Sequence, residues 1–199
     1  NVYKTNRFWN WRQRLKYCGG QMIPVSLYGI DVERCENFYE QLPNLVADSI
    51  DDEEYSNTLF AIQDKASVEH IKVAEKWSNR KPFAFPEEIV NEIEMIIRTV
   101  SYPDVALLEH LLTIDEIDTQ RISEWMHFST NLYPIYSQKA CQALTEMGLD
   151  TPFNLGDMAS YGLYVARIEG LKMYAPAKGL PEIGLPRSRM LQLGLERFE

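Results

Sequence analysis

Apolar positions recur at helical spacing along most of the chain. Val32, Cys35, Phe38 and Leu42 form one stripe, Tyr55, Leu59 and Ile62 a second, and Val68, Ile71, Ala74 and Trp77 a third. Ile89, Ile93, Ile96, Ile97 and Val100 follow at spacings of 4, 3, 1 and 3, the cleanest amphipathic pattern present. Further along come Ile117, Ile122, Trp125 and Phe128, and then Met158, Tyr161, Val165, Ile168 and Leu171. Residues three and four apart share one face of a helix, so each stripe predicts a helix with one buried side.

Punctuation residues set the expected boundaries. Asp31 is placed to cap the first helix and Pro43 to end it. Asp51 and Asp52 precede the second and suit its N-terminal dipole; Ser67 precedes the third. Residues 79–86 form a loop with Phe83 and Phe85 between two prolines, and Pro86 suits a first helical turn. A further helix is expected from Pro103 to about Leu112. Thr113 with Glu116 matches a capping box for the helix after it. Pro134 is expected to start a helix that runs to Gly148, where Gly148-Leu149 reads as a Schellman stop. Leu144, Gly148, Leu149, Thr151 and Leu155 together resemble the entry of a helix-hairpin-helix module. The glycine pair that exposes backbone N–H groups to phosphate is missing from the stretch that follows, so no function is carried over.

The two ends depart from this pattern. Phe8, Trp11 and Leu15 predict a helix over 6–17, stopped by Cys18-Gly19-Gly20, and 21–30 reads as an extended strand interrupted at Pro24. Residues 175–188 carry three prolines and two glycines, which excludes a regular helix interior. Leu180, Ile183 and Leu185 nevertheless punctuate that stretch, and Met190, Leu191, Leu193, Leu195 and Phe198 close the chain. The expected fold is mainly α, a single helical domain of about seven to nine helices with extended N- and C-terminal arms. Its parts are an arm and extended segment at 1–30, a helical body at 31–174 and a Pro/Gly-rich arm at 175–199.

Composition adds limits. The 199 residues are 45% hydrophobic and 25% charged, ordinary for a globular chain with a sizeable core. No apolar run reaches the length of a membrane span, and the apolar core of a signal peptide is not visible. The chain opens on Asn rather than Met, so a fragment or processed product is expected. Cys18, Cys35 and Cys141 fit no zinc or redox spacing, and a reducing intracellular compartment or a virion is the expected location.

Charge is segregated. Residues 1–17 carry five bases and no acid, whereas 29–69 carry eleven acids and two bases, within a net charge of −9. The opening bases are interleaved with Phe8, Trp9, Trp11 and Tyr17. Such a segment can pack as an ordinary core helix, dock on an acidic partner, or bind single strands through Arg7, Trp9, Arg12, Arg14 and Lys16. The acidity of the rest of the chain opposes the last reading.

Large apolar groups on terminal segments need cover from the body or from a neighbour. The expected function is therefore a structural or assembly subunit, in specific form a virion shell, tail or nucleocapsid component. It would contact copies of itself or other subunits through Phe8, Trp9, Trp11, Arg12, Leu180, Ile183, Leu185, Leu193 and Phe198. A nucleic-acid-binding protein is the alternative. A helical metal-dependent enzyme comes third, on the Glu124-x-x-His127 step, although the second such step of di-iron bundles is missing. No phosphate loop, dinucleotide turn or nucleophile elbow occurs, so the reading leans away from catalysis and expects no cofactor.

Overall fold

The structure, a computed structural model, describes residues 15–18, 21–51, 53–62, 67–78, 80–177 and 179–199. It is mainly helical, as the stripes predict. Two short strands, β1 (Leu15–Cys18) and β2 (Gln21–Pro24), pair antiparallel with Leu15 opposite Pro24 and Cys18 opposite Gln21. Within its described part, the helix expected over 6–17 is thus a strand; residues 6–14 of that expectation lie outside the described residues. Strand pairing supplies backbone partners that a helical period in one segment cannot reveal.

A 3₁₀ turn, Val25–Leu27, leads into α1 (Val32–Leu45), whose first turn is capped by the Asp31 carboxylate accepting from the Arg34 N–H at 3.1 Å. The helix continues two residues past Pro43, because a proline this close to the end removes only one bond and the Val46 N–H still reaches the Leu42 carbonyl at 3.1 Å. After a 3₁₀ segment, Ala47–Asp51, come α2 (Glu53–Ile62) and α3 (Val68–Trp77). Ser67 stands before α3, but its hydroxyl turns to His70 Nδ1. The Val68 N–H is satisfied instead by Glu94 of α4 (Glu87–Thr99) at 2.8 Å.

Three further boundaries differ from expectation. The stretch after Pro103 forms a 3₁₀ helix, Ala106–Thr113, started by Asp104, which accepts from the Ala106 N–H. The cap of α5 (Thr119–Thr130) is Asp118, accepting from the Arg121 N–H at 2.7 Å. Thr113 and Glu116 make no capping box, since Glu116 has a φ of 67° and cannot continue a helix. Finally, α6 (Gln138–Glu146) begins after Ser137 rather than at Pro134. The backbone before it is held by tertiary partners: the Tyr136 N–H donates to Ser123 Oγ and the Tyr161 hydroxyl donates to the Pro134 carbonyl. Gly148 does end α6 in the expected way. At a φ of 82° its N–H reaches Thr145 O, and the Leu149 N–H reaches Leu144 O at 2.9 Å.

The last two helices are α7 (Met158–Tyr174) and α8 (Arg187–Arg197). The first half of the chain stacks α2 on α3 and α3 on α5, while α8 lies against α1, α6 and α7. Met190, Leu191, Leu195 and Phe198 are buried there, and the Phe198 ring meets Phe38 edge-on at 5.2 Å. Leu180, Ile183, Leu185 and Leu193 are half-buried against the same core. The expectation of an extended C-terminal arm is thereby corrected for Met190, Leu191, Leu195 and Phe198, which pack into their own body, while Leu180, Ile183, Leu185 and Leu193 keep part of their surface exposed. One core cluster runs from Ile23 to Phe198, across both of the expected divisions at 30/31 and 174/175. Among the described residues no helix is long and apolar enough to cross a membrane.

Candidate functional site

Glu124 and His127 share α5 but not an environment. The His127 ring is fully enclosed: Nδ1 lies 2.6 Å from the Tyr133 carbonyl and Nε2 2.6 Å from the Tyr55 hydroxyl. A carbonyl only accepts, so Nδ1 carries the proton and Nε2 accepts from Tyr55. Burial lowers the imidazole to about 3, which keeps it neutral. Both nitrogens are occupied, leaving no lone pair for a metal. Among the described residues no group of three or more His, Cys, Asp or Glu is placed to hold one. The buried thiols of Cys35 and Cys141 are raised to about 12, chiefly by burial, so they remain protonated and unreactive near neutral pH.

Glu124 faces the other way, into a network that sequence reading missed. Its Oε1 accepts from Arg80 Nη2 at 2.7 Å, and Arg80 also reaches Asp118. Burial raises the Glu124 carboxyl to about 7 against the pull of Arg80, with Glu75 and Asp118 adding like charge. Glu75 of α3 is 2% exposed and fully engaged. It accepts from Trp125 Nε1 at 2.7 Å and the Phe83 N–H at 3.0 Å, and pairs with Arg121 Nε at 3.3 Å. Arg121 in turn donates to the Glu116 and Lys81 carbonyls. These bonds fasten the 80–86 loop to α5, with Phe83 and Phe85 against Trp125. The available signal was Glu75 itself, a charge placed four residues after Ile71 on the apolar face of α3.

Beside this network opens a cleft of about 680 Å³ whose walls include Trp77, Glu124, Tyr136, Lys139, Arg189 and Gln192. Arg189 stacks over Tyr55 and Trp77 and donates to Gln192 Oε1 at 3.0 Å. The cleft therefore joins a carboxyl that exchanges its proton near neutrality to a guanidinium clamped on aromatic faces.

A different kind of surface lies along α1. Glu33, Glu36 and Glu40 form an exposed strip opposite its buried face. Next to the strip is a groove of about 610 Å³ walled by Met22, Glu36, Tyr39, Glu40, Met173 and Tyr174. Met22 and Met173 are 53% and 50% exposed. On the far side of Met173 a more apolar cleft runs past Pro24, Val25, Leu163 and Ala166.

Of the residues expected to contact partners, Phe8, Trp9, Trp11 and Arg12 lie outside the described residues, as do Arg7 and Arg14 of the nucleic-acid alternative; Lys16 falls in β1. Fold and surfaces together define a helical protein with an acidic, partly apolar face and a separate polar cleft. No protein-family model, no curated protein and no solved structure matches the chain.

Proposed function

We propose that this protein is an assembly subunit, contacting other copies or other subunits of a larger complex through its basic aromatic N-terminal segment. The observation that supports this reading is the groove beside Met22 and Met173. It pairs exposed apolar side chains with carboxylates, the chemical complement of Arg and Trp. The C-terminal segment carries less of this reading, since Phe198 is buried in its own body and Leu180, Ile183, Leu185 and Leu193 are half-covered there. A virion or nucleocapsid is the setting proposed for such contacts, and that setting rests on the sequence pattern alone. Sedimentation equilibrium over a concentration series tests the reading. The expected result is a mass that rises with concentration, and a shift to monomer in the Trp9→Ala/Trp11→Ala/Arg12→Ala variant. A monomer at every concentration overturns it. Salt-sensitive binding of single-stranded RNA or DNA by that monomer, lost in Trp9→Ala/Arg12→Ala, puts the nucleic-acid reading in its place.

A further inference from the structure

Building on the assembly reading, we infer that the groove between α1 and the end of α7 is the dock for residues 1–14 of a second copy. Three observations converge. The first is chemical fit. Residues 1–14 carry Lys4, Arg7, Arg12 and Arg14 with Phe8, Trp9 and Trp11 and no acid. The groove offers Glu36 and Glu40 on one wall and Met22, Met173 and Tyr174 on the other. Thioether and aromatic walls suit an inserted aromatic ring, and carboxylates at the edge suit the guanidinium beside it.

The second is continuity. Glu36 and Glu40 also border a neighbouring depression with Asp31, Glu33, Asn37 and Arg34; Arg34 is paired with Glu146 at 3.1 Å, so the surface along α1 stays net acidic beyond the apolar part of the groove. A segment with bases spread over Lys4 to Arg14 needs a track of that kind rather than a single pocket.

The third is the polarity of the hairpin. Leu15 pairs with Pro24, so β1 starts at the Pro24 end. That end borders the apolar cleft past Val25 and Leu163, whereas the acidic groove borders Met22. Among the described residues nothing fills the acidic groove, where Met22 and Met173 keep about half of their surface open. Two copies that exchange segments in this way close a two-fold contact, each giving one and receiving one.

Charge exchange in the full-length chain tests the dock. Glu36→Lys/Glu40→Lys changes two exposed positions on α1, and circular dichroism confirms that each variant keeps its helix content. Sedimentation then compares the wild type, this variant, and Arg12→Glu/Arg14→Glu. Each variant alone is expected to self-associate about tenfold more weakly or worse, and an equimolar mixture to recover association, because each then presents the charge the other lacks. Added salt weakens the wild-type association. Self-association of Glu36→Lys/Glu40→Lys at wild-type strength overturns the dock while leaving the assembly reading in place. A wild type that stays monomeric overturns both. Failure of the mixture to recover association also counts against the dock.

Discussion

His127 illustrates how a buried side chain acquires a pH dependence. In the folded chain its imidazole titrates near 3, against an ordinary value of about 6.5. Below pH 6.5 the unfolded chain takes up a proton that the native chain refuses. Stability from this residue is therefore complete above pH 6.5 and falls as pH drops toward 3, by up to about 1.4 kcal/mol per pH unit. Glu124 works in the opposite direction. Its carboxyl titrates near 7 when folded, above the ordinary 4.5, so between those values the unfolded chain releases a proton that the native chain retains. Its contribution is lost as pH rises from 4.5 through 7. Urea unfolding across pH 3–8 separates the two. Relative to wild type, Glu124→Gln should gain stability steadily from pH 4.5 to 7, and His127→Gln should show a shallower loss below pH 6.5. A pH-independent difference for both variants contradicts the burial described for them. Neither residue's state was legible in the sequence. The Glu-x-x-His spacing placed both on α5, but Tyr55, Tyr133 and Arg80, which decide their chemistry, come from elsewhere in the chain.

At the scale of elements, side chains hold segments that have no regular structure of their own. Loop 80–86 is fastened by Glu75 and Arg121, and the stretch before α6 by the Tyr161 hydroxyl and Ser123. Glu75→Ala leaves the Trp125 indole N–H and the Phe83 N–H without their acceptor and removes the buried anion from beside Arg121. A loss of about 3–5 kcal/mol is expected, the range for breaking a buried ion pair, read from the urea midpoint together with greater accessibility of Trp125 to an iodide quencher. An unchanged midpoint means that the loop is held by its phenylalanines and by the remaining bonds of Arg80 and Arg121 without Glu75. Boundaries signalled by local chemistry were readable: Asp31 caps α1 and Gly148 stops α6. Other local caps were not ranked correctly: Asp118 caps α5 through the Arg121 N–H and Ser137 caps α6 through the Ala140 N–H, each only three residues on, where the sequence pattern points to Thr113 and Pro134 as the starts of those helices.

For the molecule as a whole, α8 is the decisive element. Met190, Leu191, Leu195 and Phe198 fill the space between α1, α6 and α7. Four buried apolar side chains contribute roughly 6–12 kcal/mol at about 1.5–3 kcal/mol each. That is comparable with the whole stability of a typical domain, about 5–15 kcal/mol. A chain ending at Pro186 should therefore lose its cooperative thermal transition and bind a hydrophobic dye, rather than stay folded and merely change its oligomeric state. A sharp transition in that truncated chain shows that α8 is an appendage after all. The charge asymmetry also belongs to this scale. The acids of 29–69 were countable along the chain, but their alignment as a strip on α1 beside Met22 and Met173 depends on how α1, α7 and the hairpin meet.

The sequence by itself determined the helical class, most of the stripes that face the core, the Asp31 cap of α1 and the Gly148 stop of α6. Those signals are local, and local geometry is enough to read them. Only the tertiary structure decided that residues 15–18 pair as a strand, that Glu75 is buried among partners, and that the last helix closes the core instead of leaving it. In each case the deciding partners come from other elements of the chain, and a linear pattern does not show which distant surfaces will meet.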